Sequence, residues 1–225
     1  MNLTEFFNSL NQIDQTYNKY ATYSLTFGNP YKLATSYDAF KYDKFEPYLK
    51  NWIAEQGKCI VMPNKLGDEV VGLVFRSLQS KQFRYHNEAR YIPYGAGVSN
   101  KPYYKPWIIV ESALDSDFLR NFYPYVISTN GAAISNSSMN FIKGTCSTLY
   151  VGFDNDKTGD DSFVKLRMKH SGEDKGFHIK RFTPPISYDG SKLKDFGDIL
   201  ELLHKNNLND YDYYCSQVKY SLMMI

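Results

Sequence analysis

The hydrophobic positions of this chain follow two rhythms. Up to about residue 105 the apolar runs are short and mixed with charge. Residues 4–20 and 43–56 space their apolar side chains as short helices, and the second, DKFEPYLKNWIAEQG, opens on acidic residues and stops at Gly57. CIVMPN (59–64) and EVVGLVFRSL (69–78) flank a turn around Gly67, which predicts a β-hairpin. QSKQFRYHNEARYIPYGAG follows as a basic, aromatic, loop-rich segment, and NKPYYKP (100–106) reads as a connection between domains.

From Trp107 the pattern alternates. The apolar segments WIIVES, YVIST, TLYVGF and FHIKRF predict strands. Between and after them ALDSDFLRNFYP, SNSSMNFIKG, TGDDSFVKLRMKHSG and KDFGDILELLHKNN predict helices. Strand and helix in alternation imply a parallel sheet with helices on its faces. The chain is thus an α/β protein in three parts: an N-terminal α+β basic subdomain over 1–105, a parallel-sheet domain over 106–207, and a tail over 208–225 packing back on the body.

Composition changes this picture little. At 225 residues and 43% hydrophobic content the chain can bury a real core. No apolar run approaches the roughly 18 residues of a membrane span, and MNLTEFFNSLNQ lacks the basic flank and apolar stretch of a signal peptide. A cytoplasmic setting with no membrane partner is expected. Cys59, Cys146 and Cys215 lie far apart with no CxxC pair, which predicts free thiols and no zinc site.

Charge is more informative. Residues 1–105 carry 13 Lys and Arg against 9 Asp and Glu, whereas residues 106–225 carry 13 against 15. A basic segment beside an acidic one suits a polyanion held by cations and worked on at a metal site.

The acidic residues fall at particular places. Ligands of open parallel sheets sit beyond the carboxyl ends of the strands. Glu111 ends the first predicted strand, Asp154 ends the third, and Asp156 follows in FDNDKTG. If those strands are neighbours, the three carboxylates converge. Their mutual repulsion is on the order of 4 kcal/mol per pair at about 4 Å and an effective dielectric near 20. A divalent cation relieves it, and hard oxygen donors favour Mg²⁺ or Mn²⁺ over zinc. Asp195 and Asp198 in KDFGDIL open the last helix and could supply a second ion, the two-metal arrangement of phosphoryl transfer. In isolation they read as helix N-terminal residues complementing the dipole, as does Asp115.

Glu111 at a strand end, Asp115, the TNGAA loop (129–133), FDNDKTG and KDFGDIL together resemble the Toprim domain of topoisomerases, bacterial-type primases and related nucleases, over about residues 107–205. One departure is Ser112, where the family usually has glycine. Upstream, Pro63, Gly67, Gly72, Arg76, Arg84, Tyr85 and Asn87 resemble the segment that precedes Toprim in primases. The combination resembles the RNA-polymerase domain of phage- or plasmid-type primases.

The resemblance implies metal-dependent nucleotidyl transfer that makes short RNA primers on a single-stranded DNA template from nucleoside triphosphates. Glu111, Asp154 and Asp156 would be catalytic and, with Asp195 and Asp198, would bind Mg²⁺ or Mn²⁺. Asp115 and Lys157 would accompany them. Arg76, Lys81, Arg84, Tyr85, Asn87 and Lys101 would meet nucleotide or template. With no zinc-binding segment or helicase domain in the sequence, the chain reads as a minimal catalytic unit, as one working with a separate template-reading protein and a replicative helicase, or as a relative that has lost priming. Two alternatives use the same residues differently: a Toprim nuclease, and a non-catalytic nucleic-acid-binding relative.

Overall fold

The computed structural model describes residues 1–14, 17–80, 82–89, 92–98, 105–130, 133–170, 176–183, 187–188, 191–205, 216, 218–219 and 222–223. Two compact units divide the chain at Arg90/Tyr91, earlier than the boundary at 105/106 that the sequence predicts. The reason is Tyr94. Its ring is buried, its carbonyl accepts from Ser128 N–H at 3.0 Å, and its hydroxyl donates to Asp117 at 2.9 Å, so this segment belongs to the second unit.

The first unit is an antiparallel sheet of five strands, β1 (Asn11–Gln12), β2 (Lys32–Thr35), β3 (Lys58–Leu66), β4 (Glu69–Ser77) and β5 (Phe83–Asn87), in sequence order. Its helices are α1 (Leu3–Ser9), α2 (Asn18–Phe27) and α3 (Pro47–Gln56). The predicted hairpin is β3–β4, turning at Gly67, whose φ of 61° suits a residue without Cβ. Pro63 is tolerated inside β3 because β2 pairs only with Lys58–Val61, leaving Pro63 with a single neighbouring strand.

Residues 4–20, which the periodicity predicts as one helix, are instead α1, then β1, then the start of α2. Asn2 and Glu5 form a reciprocal cap on α1, and α1 ends at Leu10, whose extended backbone leads into β1. Phe6, Phe7, Tyr42, Phe45, Leu49, Ile53, Leu73 and Phe75 close the core on one face of the sheet.

The second unit carries the parallel sheet. Its strands are β6 (Trp107–Val110), β7 (Val126–Ser128), β8 (Thr148–Gly152) and β9 (His178–Arg181), in the order β7-β6-β8-β9. The four predicted strands are all present and all parallel. Helices α4 (Ala113–Arg120), α5 (Asn136–Thr145) and α6 (Lys157–His170) make the crossovers, a short pair β10 (Ser187–Tyr188) and β11 (Ser191–Lys192) follows, and α7 (Phe196–Lys205) comes last.

Every residue of β6 is buried, as expected of a central parallel strand covered on both faces. Of the tail, Val218 and Leu222 are buried and Lys219 lies over the Phe122 ring; most of the rest falls outside the described residues.

Candidate active site

The strand order makes β6 and β8 neighbours, with Val110 opposite Gly152. Glu111 and Asp154 therefore leave adjacent strands at the same edge. Glu111 Oε1 accepts a hydrogen bond from the Asp154 main-chain N–H at 3.3 Å. Burial raises the Glu111 pKa, and the Asp154 carboxylate adds to that.

Asp156 sits where the loop turns into α6. Its Oδ1 accepts from Gly159 N–H at 2.9 Å, and that bond is the main cause of its lowered pKa. Gly159 is required here, because a Cβ would collide with the Asp154 main-chain oxygen. Behind the loop, Arg181 at the end of β9 donates to the Asp154 carbonyl at 2.8 Å and to that of Val151 at 3.3 Å, and pairs with Asp160 at 3.1 Å.

A second loop, 193–195, is laced to the first. Asn155 N–H donates to the Lys194 carbonyl at 2.7 Å, and Asn155 Nδ2 donates to that of Leu193 at 3.4 Å. Phe196 anchors this loop from below, stacked on Phe182 at 6.0 Å and tilted against Phe118 at 6.3 Å. Lys194 Nζ then reaches both members of the DxD: 2.9 Å from Asp154 Oδ2 and 3.3 Å from Asp156 Oδ2.

Asp195 and Asp198 are occupied with the start of α7. Asp195 Oδ1 accepts from Asp198 N–H at 2.7 Å, and Asp198 Oδ2 accepts from Lys194 N–H at 2.8 Å. Burial raises the Asp195 pKa.

Asp115 lies beneath, only 4% exposed. Ser112 caps α4 through its hydroxyl, which accepts from Asp115 N–H at 3.1 Å and donates to Asp115 Oδ2 at 2.7 Å. The Ser112 backbone is extended, with φ −114° and ψ 153°, so glycine is not needed there. Asp115 Oδ1 is buried with no well-formed hydrogen bond, although the Gly197 backbone lies on that side. Burial, then the nearby Asp195 charge, push the Asp115 pKa up to about 8. Lys157 opens α6 and is exposed.

Among the described residues no three of these carboxylates, nor any other three His, Cys, Asp or Glu, converge as a metal cluster. The donor set nonetheless suits a hard divalent ion. Its members are carboxylates from separate elements at one sheet edge, one has an orphaned buried oxygen, and a cationic ammonium already rests against two others.

The upstream candidates divide between two faces of the first sheet. Arg76, opposite Phe83, shares a face with Tyr85 and Asn87, and its Nε donates to the Tyr20 hydroxyl at 3.0 Å. Arg84 points to the other face, where its guanidinium lies 5.3 Å from the Trp52 ring centroid. The cause is strand alternation: this segment is β5, not a loop, so adjacent side chains diverge. Lys81 and Lys101 lie outside the described residues. Sequence reasoning missed Arg181 and Lys194. Lys194 had a signal in its place beside Asp195; Arg181 acts on carbonyls and had none.

Similarity to solved structures is clear. The Escherichia coli primase catalytic core matches with a TM-score of 0.57 at 13% identity, over 96% of this chain and 77% of that one. A DnaG primase catalytic domain bound to single-stranded DNA matches with a TM-score of 0.54 at 12% identity, over 96% and 78%. The zinc-binding and RNA-polymerase domains of Aquifex aeolicus primase match with a TM-score of 0.53 at 14% identity, over 94% and 58%. No family model matches the chain, and no curated protein matches it in sequence. The chain has the fold of the bacterial primase catalytic core, as the sequence predicts, and at these identities the likeness speaks for fold alone.

Proposed function

We propose that this chain is a primase-type catalytic unit that makes short RNA primers on single-stranded DNA. The observation that carries this reading is the meeting of Glu111 with the Asp154–Asp156 loop on neighbouring parallel strands. Asp154 and Asp156 would hold Mg²⁺ or Mn²⁺, with Glu111 either a third ligand or the proton acceptor for the attacking 3′ hydroxyl. Asp115, through its orphaned oxygen, and Asp195 would complete the donor set. When bound, the ions supply charge neutralisation for the triphosphate and its departing pyrophosphate.

The rest of the work falls to the protein. Arg181 and Asn155 fix the main chain that presents the two aspartates. Asp198 fixes the loop carrying Lys194. Arg76 and Tyr85 would meet phosphate and base on the first unit, with Asn87 on the same face. Arg84, held over Trp52, is the weaker candidate for that role. A replicative helicase and a template-reading domain or protein are the partners such a unit would use.

Incubation with single-stranded DNA, labelled ribonucleotides and Mg²⁺ or Mn²⁺ tests this. Short oligoribonucleotides are expected, and none from the Asp154→Ala, Asp156→Ala double variant. Shortened template without new RNA would instead establish a nuclease.

A further inference from the structure

The site contains a cation of its own. Lys194 Nζ contacts one oxygen of Asp154 and one of Asp156, at 2.9 and 3.3 Å. Its backbone is tied down on both sides, through its carbonyl to Asn155 and through its N–H to Asp198. Its side chain is 52% exposed. A main chain held fast and a flexible four-carbon stem in solvent allow the ammonium to leave while the loop stays in place.

We propose that Lys194 is a positioning residue that holds Asp154 and Asp156 together before metal arrives, yields that place to the divalent ion, and then pairs with the triphosphate of the incoming nucleotide. This rests on the metal-dependent reading above. Two aspartates separated by one residue repel, and a resident ammonium relieves the repulsion without committing the site to an ion. The ammonium offsets only one of the two negative charges, whereas a divalent ion in its place neutralises both, so the exchange favours the metal. The displaced ammonium remains tethered beside the pair, where a polyphosphate neutralised by metal would lie. Lysine suits this better than arginine, being a compact, mobile point charge that does not lock onto a carboxylate through two parallel bonds.

Mn²⁺ binding to the full chain, followed by loss of the free-ion spin-resonance signal without nucleotide, tests the first half. Lys194→Met removes the competitor, and binding is expected to tighten by about three- to tenfold, the scale of two exposed ion pairs. Lys194→Arg should bind no more tightly than the parent. Unchanged or weaker binding by Lys194→Met would overturn the proposal. Failure of the parent and both variants to bind Mn²⁺ would overturn the metal-dependent reading itself.

GTP titrated into Mn²⁺-saturated protein without template tests the second half. Lys194→Met should bind GTP several-fold more weakly, and equal affinity would remove the triphosphate role. A melting temperature within a few degrees of the parent, in saturating Mn²⁺, establishes that the variants are folded.

Discussion

Arg181 Nη2 donates to the main-chain oxygen of Asp154 at 2.8 Å, from a side chain only 17% exposed. A guanidinium at the end of β9 thus supports, from behind, the loop that carries the acidic pair. Arg181→Met should destabilise the protein by about 1–3 kcal/mol, the range for a charge-assisted hydrogen bond left unmade. It should also weaken Mn²⁺ binding, since Asp154 loses its support. Urea denaturation and Mn²⁺ titration check both effects. A variant that loses stability but keeps full Mn²⁺ affinity would limit Arg181 to a structural role.

Gly159 allows Asp154 and Asp156 to share one tight loop. Gly159→Ala places a methyl group against the Asp154 carbonyl, and the loop must move. A loss of roughly 1–3 kcal/mol is expected from overpacking, with loss of primer synthesis. Gly144 is a control in the same unit: a Cβ there meets nothing, so Gly144→Ala should leave activity intact.

The buried Asp115 makes metal-free stability depend on pH. Its pKa is raised in the folded protein, so between the unfolded value of 3.8 and about 8 the folded state binds the extra proton. Stability therefore falls as pH rises across that window. Asp195, also raised, acts in the same direction. In buffer containing chelator, Asp115→Asn should flatten the decline and make the protein more stable near neutral pH. Urea midpoints at several pH values measure this; parent and Asp115→Asn stabilities that run parallel across the window would contradict it.

Ser112 stands where the resembling family has glycine, and here it caps α4 and holds Asp115. Ser112→Ala should cost about 1 kcal/mol, the usual loss for a cap. Ser112→Gly should cost less, because its extended backbone accepts either residue and glycine is itself a fair cap. Thermal melting of the two variants gives the order.

The parallel half was legible because its strands are nearly continuous apolar runs bounded by cap residues, as WIIV before Ser112 and TLYVG before the DxD show. That alternation with helices is enough to put Glu111 and Asp154 at the same end of their strands. The antiparallel half was harder. FRYHN is an edge strand with polar side chains on both faces, so nothing in its pattern separates it from a loop. Once it is recognised as a strand, alternation alone parts Arg84 from Tyr85.

KLAT likewise carries no alternation, since its first three residues are all buried, Lys32 among them. At the site, the acidic residues announced their position by strand ends. Asp195 and Asp198 were legible only as alternatives, metal ligands or helix-start residues, and each accepts a main-chain hydrogen bond at the start of α7 with one of its two oxygens. Arg181 acts on carbonyls of a segment distant in the chain, which no local pattern encodes, and Lys194 is marked only by its place beside Asp195.

The sheet order β7-β6-β8-β9 also dictates when the acidic edge comes into being. As the chain emerges during synthesis, β6 can pair with β7 at once, because β7 is the next strand made. Glu111 then waits at a rim with no acidic neighbour from another strand until β8 crosses to the opposite side of β6. Only that late docking event brings Asp154 beside it, and Lys194 follows forty residues later. The electrostatic penalty of crowding carboxylates is thus deferred until β6 and β7 have both been made, and a nascent chain halted before residue 150 would not yet meet it.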